Sequence, residues 1–210
     1  IFSHIDNGTT DLGDTVWRAP VEHYYSQERF EAEIALLRRL PVPFCPSAAL
    51  PEVGSFIARP AALTPLLDTR RTDGTARALI NACRHRGMQV ASGKGCSEAF
   101  NCAYHAWTYN LEGELKGIPG RSGFADLDPS DHGLVEVGAA ERGGIVYVRQ
   151  DGPIGDSALD DCLDYFAPDQ KLFEQGELFD DANWKLINET AQERYHIKSL
   201  HRESFYPYGF

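Results

Sequence analysis

The sequence predicts an α+β fold in which helical flanks enclose a β-rich block of about a hundred residues. Apolar residues recur at helical spacing over residues 26–40. From about residue 53 to 149, short apolar stretches alternate with turn residues. The helical pattern returns at 158–166 and from about 182 to 201. We therefore expect the two flanks to form one domain into which the β block is inserted.

The first helix is expected over "SQERFEAEIALLRRL", residues 26–40. Phe30, Ile34 and Leu37 share one face of such a helix, and Ser26 is suited to cap its first turn. The following "PVPFCP" ends the helix, because proline lacks the N–H that continues the hydrogen-bond ladder.

The β block contains one clear hairpin signal. In "LLDTRRTDGTARALIN", two apolar stretches flank Asp73-Gly74, a dipeptide that favours a tight turn. Further strands are expected in "EAFNC", "HAWTYNLEGEL", "LVEV" and "GGIVYVR".

Composition excludes some classes of partner. With 20 Lys and Arg against 31 Asp and Glu, the net charge is −11. Nucleic acids and anionic membranes bind cationic surfaces, so neither is expected as the main partner. No apolar run approaches the roughly 18 residues of a membrane-spanning helix, and no signal peptide is recognisable. Since the chain begins at Ile1 and ends in "FYPYGF", both ends are expected to be trimmed.

The five cysteines are odd in number and irregularly spaced. This pattern disfavours a disulfide scaffold and favours a reducing, cytoplasmic setting. Two cysteines and two histidines, all residue types that bind metals, form two short clips: Cys83-x-His85 and Cys102-x-x-His105. Strand-like sequence bounds both clips. The remaining Cys96 is interpreted as a loop or core thiol.

Two kinds of metal centre are compatible with a ligand set of two cysteines and two histidines: a zinc ion and a [2Fe–2S] cluster. Zinc sites of this composition usually pair like with like, a Cys-Cys clip followed by a His-His pair. A Rieske-type [2Fe–2S] cluster instead takes one Cys and one His from each of two loops, with two thiolates on one iron and two neutral imidazoles on the other. The mixed clips favour the Rieske cluster over zinc and over chance spacing.

The strings "CRHRG" and "CAYHAWTY" at this spacing resemble the Rieske domain of ring-hydroxylating oxygenase alpha (large) subunits. The resemblance runs from about residue 24 to the end of the chain. Met88 and Tyr104 stand where the Rieske proteins of cytochrome bc complexes have disulfide cysteines, which disfavours that class. The resemblance implies an all-β Rieske domain inserted into an α+β catalytic domain of helix-grip type, the latter only partly present. The implied boundaries are 1–42 for an N-terminal helical part of the catalytic domain, 43–152 for the Rieske domain, and 153–210 for the start of the catalytic domain with its iron motif.

Three residues are expected around the cluster. Arg84 and Arg86 either donate hydrogen bonds to the cluster or nearby backbone, or are exposed loop arginines. Trp107 is expected to pack beneath the cluster loops.

A second candidate site lies in "NWKLINETAQERYHIKSLHRES", residues 183–204. On an ideal helix His196 and His201 would point about 140° apart, so they can share a metal only if the helix loosens or ends between them. Glu189 and Glu193 precede His196 at spacings that place the three on one helix face, which suggests an interior polar site.

This segment also resembles the catalytic signature of the same oxygenase family. The resemblance implies that His196 and His201 are two ligands of a mononuclear Fe(II) in a 2-His-1-carboxylate triad, whose third ligand is expected beyond the chain end. Glu203 is disfavoured as that ligand because it lies two residues past His201. Two departures stand out: Thr190 replaces the usual Asn, and Glu193 replaces the usual Asp, although some members acting on quaternary amines have Glu. The matching positions are Asn183-Trp184-Lys185, Glu189, Glu193, Tyr195-His196 and His201.

The resemblance implies a terminal oxygenase that passes electrons from the [2Fe–2S] cluster to Fe(II), which activates O2 to hydroxylate or dihydroxylate an aromatic or similar small substrate. The electrons would come ultimately from NAD(P)H through a separate reductase or ferredoxin. A homotrimer is expected, with or without a beta subunit, in which Glu193 bridges His196 and a cluster histidine of the neighbour.

Three alternatives stay open. One is a monooxygenase or demethylase acting on a quaternary amine. Another is a Rieske ferredoxin that only carries electrons, which would not need residues 183–204. The third is a zinc-stabilised binding module.

Overall fold

The computed structural model divides the chain into two compact units. The larger unit comprises residues 31–177, and the smaller one combines the described residues up to 30 with those from 180 onward. The domain boundaries expected from the resemblance stay a prediction. The residues that the structure describes are 2–9, 13–167, 169–177 and 180–208.

The larger unit is built from two antiparallel sheets. The strands are β1 Val42–Pro46, β2 Ser55–Ala61, β3 Thr64–Arg70, β4 Ala76–Ile80, β5 Gly93–Cys96, β6 Ala99–Asn101, β7 Thr108–Asn110, β8 Leu115–Gly117, β9 Glu136–Arg142 and β10 Ile145–Arg149. Seven of them form one sheet in the order β1-β10-β9-β4-β3-β2-β5, and the other three form a second sheet in the order β6-β7-β8. The predicted β block is thus confirmed, and it begins earlier than expected, at Val42.

The hairpin predicted around Asp73-Gly74 is confirmed. β3 and β4 pair antiparallel down to Arg70 opposite Ala76. Gly74 has φ of 83°, a conformation that favours glycine, and the Asp73 carboxylate accepts a hydrogen bond from the Thr75 N–H at 2.9 Å. The sequence therefore determines this turn locally.

The core of the larger unit lies on both faces of the central strands. Leu66 and Leu67 are adjacent in β3 and point to opposite faces, and each is fully buried. Leu66 packs among residues of β1 and β10, including Phe44, whereas Leu67 packs beside Trp107 and Tyr109. Because β3 is covered on both sides, it has a run of apolar residues rather than strict alternation.

The first predicted helix is confirmed as α3, Gln27–Arg39, after two shorter helices, α1 (Phe2–Asn7) and α2 (Glu22–Tyr25). The Ser26 hydroxyl accepts a hydrogen bond from the Arg29 N–H at 3.3 Å, as a capping residue does. The predicted apolar face is half-buried.

The helix expected at 158–166 is wrong. Residues 156–161 form turns instead, and the N–H groups of Tyr165 and Phe166 donate to the Gly143 carbonyl at 3.0 and 3.1 Å. Gly143 lies in the turn between β9 and β10, so this segment satisfies its backbone against the sheet rather than within a helix.

The single helix expected from about 182 to 201 is also wrong. Two helices replace it, α4 (Trp184–Gln192) and α5 (Ile197–Leu200). Glu193 is extended between them, with φ of −102° and ψ of 145°. Within the described part of the chain, no helix is both long and apolar enough to cross a membrane.

Candidate metal centres

The two loops that carry the Cys–His clips share one backbone pattern. In each loop the cysteine N–H donates to the carbonyl five residues later, and the cysteine carbonyl accepts from the N–H four residues later, at 2.8–2.9 Å. That fourth residue has positive φ in both loops, 75° at Gly87 and 56° at Ala106. Ala106 is one of few non-glycine residues in this conformation, which is uncommon for a residue with a Cβ. Both loops therefore present their cysteine from a tight, similarly folded turn.

This arrangement brings the four predicted ligands together. Cys83 and Cys102 are free thiols, each 3% exposed, within one apolar cluster. The rings of His85 and His105 lie with their centroids 4.5 Å apart. Trp107 is 2% exposed and stacks on His85 at 4.9 Å, which agrees with the expected packing beneath the loops.

The donor set has the properties of a metal site. The Nδ1 atom of His85 is buried and has no hydrogen-bond partner among the described residues, although buried polar atoms are nearly always paired. Burial, and then the charges of His105 and Arg86, lower the pKa of His85, which favours the neutral imidazole that binds metals. Two buried thiols in one apolar cluster, together with two imidazoles in ring contact, fit a [2Fe–2S] cluster with mixed ligands.

Arg84 and Arg86 are exposed. Neither guanidinium makes a hydrogen bond or ion pair with the described residues, and their role in tuning the cluster stays a prediction.

Tyr109 is a neighbour of the site that the sequence did not single out. It is fully buried, and its hydroxyl lies 3.3 Å from the Cys83 sulfur. The same oxygen accepts the Arg84 N–H at 2.9 Å, so its own proton is available for the sulfur. Burial, and then Cys83, raise the pKa of Tyr109 well above its usual value, which keeps this proton in place. The only sequence signal was its spacing of two from Trp107, which places both side chains on one face of a strand.

Tyr109→Phe is expected to lower the reduction potential of the cluster by about 20–60 mV. A hydrogen bond to a ligand sulfur stabilises the more negative reduced state, and its net value of about 0.5–1.5 kcal/mol converts at about 59 mV per tenfold change for one electron. Redox titration of the reconstituted protein checks this. Tyr147→Phe is the control, since Tyr147 is also buried but pairs with Cys162. Equal potentials for Tyr109→Phe and the wild type would contradict the assignment.

The second predicted pair, His196 and His201, is also brought together. The two residues flank α5, and their ring centroids are 5.3 Å apart with the planes at 69°. α5 ends just before His201, whose φ of −105° and ψ of 29° are not helical, so the two histidines do not sit on one continuous helix that would point them apart.

Glu193 orients the first of these histidines. Its Oε1 is hydrogen-bonded to the Nδ1 of His196, and its Oε2 accepts the N–H groups of Tyr195 at 2.5 Å and of His196 at 3.3 Å. The bond to His196 lowers the pKa of Glu193. The predicted common helix face with Glu189 is wrong, because α4 ends at Gln192 and Glu193 is extended. Glu189 accepts the Tyr24 hydroxyl at 2.9 Å.

The geometry leaves both imidazoles able to bind a metal through Nε2. In His196, Nδ1 is engaged by Glu193; in His201, Nδ1 lies 3.4 Å from the Ser204 hydroxyl. Tyr195 is 94% exposed, so this segment is not interior within the smaller unit as described. Over the described ranges, no three His, Cys, Asp or Glu side chains converge on one ion, and the third ligand has no counterpart there.

Comparison with known proteins identifies both regions. A model of the Rieske [2Fe–2S] domain matches residues 41–128, and a model of the ring hydroxylating alpha subunit catalytic domain matches residues 171–210. The glycine betaine monooxygenase oxygenase subunit of Chromohalobacter salexigens is 34% identical over 73% of this chain and 36% of its own length. The anthranilate 1,2-dioxygenase large subunit of Acinetobacter baylyi is 29% identical over 90% of this chain and 43% of its own length.

A solved structure gives the same result. Naphthalene 1,2-dioxygenase from Rhodococcus sp. bound to indole superposes with a TM-score of 0.71 and 28% identity, over 85% of this chain and 44% of that one. These matches confirm the predicted fold class of a Rieske domain combined with part of an alpha-subunit catalytic domain. The chain spans about two fifths of the length of the curated relatives it matches.

Proposed function

This chain belongs to the alpha (large) subunits of Rieske ring-hydroxylating oxygenases, and we propose that it acts in the terminal oxygenase of such a system. The observation that carries the proposal is the cluster site itself. Two loops of equal backbone pattern bring together two buried thiols and two imidazoles, and the buried Nδ1 of His85 has no hydrogen-bond partner among the described residues. A zinc module or a simple electron carrier would leave the second histidine pair without a role.

In this proposal Cys83 and Cys102 would hold one iron of the cluster, and His85 and His105 would hold the other. When bound, the cluster supplies transfer of single electrons. Trp107 excludes water beneath His85, and the Tyr109 hydroxyl donates to the Cys83 sulfur.

His196 and His201 would hold the mononuclear Fe(II), with a carboxylate that the described residues do not identify. When bound, this iron supplies the activation of O2. Glu193 would keep the proton of His196 on Nδ1, so that the lone pair of Nε2 would be available to the iron.

The proposed bridge between subunits places one geometric demand on Glu193. A carboxylate has about four lone-pair positions. Oε2 already accepts two backbone N–H groups, and Oε1 is bonded to His196. A cluster histidine of a neighbouring subunit would therefore have to donate to the remaining position on Oε1.

The partners belong to the same proposal. We propose a ring of three subunits, with or without a beta subunit, and a separate reductase or ferredoxin that delivers electrons from NAD(P)H. A cytoplasmic location, favoured by the cysteine usage, also stays a prediction.

Two substrate classes are compatible with this family, aromatic compounds and quaternary amines, and Glu193 favours the quaternary amines. Relatives include the large subunit of an anthranilate dioxygenase and the oxygenase subunit of a glycine betaine monooxygenase. Glutamate at the bridging position, as in some members acting on quaternary amines, favours a trimethylammonium substrate over an aromatic acid.

Oxygen uptake tests the proposal directly. Iron-loaded protein with an electron-donor system is supplied with glycine betaine, carnitine, anthranilate or naphthalene, and O2 consumption and product are measured together. We expect uptake coupled to demethylation of a quaternary amine. Coupled hydroxylation of an aromatic substrate alone would reverse the substrate preference, and a fully loaded protein that reduces no O2 with any such compound would contradict the proposed function.

A further inference from the structure

One buried side chain, Asn81, ties down the loop that carries Cys83 and His85. Asn81 is 2% exposed. Its Oδ1 accepts the N–H groups of Val90 at 2.9 Å and Ala91 at 3.2 Å, and its Nδ2 donates to the Ala91 carbonyl at 2.8 Å. Three hydrogen bonds from one side chain thus span the base of this loop.

The other cluster loop is held in a different way. β6 and β7 pair on either side of it, with Asn101 opposite Thr108, so a strand ladder closes its base. No such ladder closes the first loop, because β4 ends at Ile80 and β5 begins at Gly93 and pairs with β2. The amide of Asn81 has an acceptor and a donor like a peptide group, and it takes the place of the missing strand partner.

We propose that Asn81 is a positioning residue for the cluster, which sets where Cys83 and His85 stand relative to the second loop. The inference rests on the proposed function, since it takes these residues as cluster ligands. Val90 packs in the same apolar cluster as Cys83 and Cys102, so the far end of the loop is fixed to the core only while its amide is satisfied. Without Asn81, two N–H groups and one carbonyl lose their partners, and the loop shifts to reach water.

The test uses the iron-loaded chain with Asn81→Ala and Asn81→Asp. Two properties are measured: the electron paramagnetic resonance spectrum of the reduced cluster, and the rate at which a chelator removes its iron. We expect Asn81→Ala to alter the spectrum and to release iron about tenfold faster, the factor that corresponds to losing one to two net hydrogen bonds. Asp retains both bonds accepted by Oδ1 but turns a second acceptor oxygen toward the Ala91 carbonyl, so Asn81→Asp is also expected to release iron faster than the wild type.

Thr69→Val is the matched control. Thr69 is fully buried, and its hydroxyl donates to the Leu111 carbonyl at 3.0 Å, outside both cluster loops. We expect this variant to lose stability in urea while it keeps the wild-type spectrum and release rate. A positioning role for Asn81 is overturned if Thr69→Val accelerates release as much as Asn81→Ala does, or if Asn81→Ala leaves spectrum and release unchanged.

The second variant and the wild-type protein separate failure of this inference from failure of the proposed function. Should Asn81→Ala fail to fold, Asn81→Asp carries the test, and release identical to the wild type overturns the role. A wild-type protein that takes up no [2Fe–2S] cluster refutes the proposed function, and the inference with it, before any variant is compared.

Discussion

Glu193→Gln is expected to weaken Fe(II) binding at His196 and His201 by about 10–100-fold, the usual range for losing a carboxylate that orients a metal-bound histidine. The carboxylate now fixes the His196 ring through Nδ1 and also accepts two backbone N–H groups at the start of α5. An amide keeps the shape but has one acceptor oxygen in place of two, so it cannot hold the ring and both backbone groups together. Competition with a ferrous chelator measures the affinity.

The same variant tests the bridge between subunits. With both metal sites loaded, single-turnover electron transfer from cluster to iron is expected to slow markedly, because the shared acceptor between two imidazoles is lost. Glu203→Gln is the control: it removes a carboxylate from the same segment, two residues past His201. Unimpaired transfer in loaded Glu193→Gln would contradict the bridge, and an equal effect of Glu203→Gln on affinity would contradict the specific role of Glu193.

Asp68→Asn is expected to make the larger unit more stable, and the gain is expected to grow as the pH rises from about 4 to 8. Asp68 is fully buried in β3, and its carboxylate oxygens make no hydrogen bond of normal geometry with the described residues. The backbone N–H groups of Thr69 and Arg77 lie close enough only to oppose part of the effect of burial on its pKa. Burial raises its pKa from 3.8 to about 8. The charges around it are Arg70, which favours ionisation, and Glu141, which opposes it. The thiol of Cys45, whose pKa burial raises to about 12, stays neutral beside it.

The direction of this pH dependence of stability follows from the difference in proton binding between the folded and unfolded states. Between about pH 4 and pH 8 the folded protein keeps the Asp68 proton while the unfolded chain loses it, so wild-type stability falls across this window and levels off above it. The full effect amounts to at most about 6 kcal/mol at about 1.4 kcal/mol per pH unit. Asn has the same shape and no proton to lose. Melting temperatures of both proteins should therefore agree most closely at pH 4 and diverge by up to about 20 °C by pH 8.

Asp73→Asn supplies a control of opposite sign. Asp73 is exposed in the β3–β4 turn, and its bonds to Thr75 lower its pKa. Its contribution to stability is present above the unfolded pKa and is lost on acidification, so its replacement should cost stability at neutral pH. A pH-independent difference between wild type and Asp68→Asn would show that the Asp68 carboxyl is not held neutral in the fold.

Local patterns explain what the sequence could predict. The Asp73-Gly74 turn and the cap at Ser26 depend on residues close in the chain, so they were found from sequence. The two Cys–His clips were also visible in the sequence, because the chemistry of a mixed Cys–His site requires two short clips, and their role as cluster ligands stays a prediction. The residue types and spacing within the two clips were therefore enough to predict the cluster site.

Features that depend on contacts between distant segments could not be predicted from the sequence. Tyr109 and Asn81 matter through partners that only the folded chain supplies, and neither residue type is unusual in its strand or loop. The break at Glu193 was hidden because no Gly or Pro marks it. Its extended backbone follows α4, and its carboxylate accepts the N–H groups of Tyr195 and His196, just before α5. The turns at 156–161 were not predicted, because the N–H groups of Tyr165 and Phe166 donate to the distant Gly143 carbonyl, a contact that no local sequence pattern indicates.

The most direct test of the account is the magnetic resonance spectrum of the reduced protein, combined with iron, sulfide and zinc analysis. A cluster held by Cys83, His85, Cys102 and His105 predicts a coloured protein whose signal shows coupling to two imidazole nitrogens, and His85→Cys should remove one of them. A colourless protein with stoichiometric zinc, or an iron–sulfur signal without nitrogen coupling, would contradict the central claim that these two loops hold a Rieske cluster.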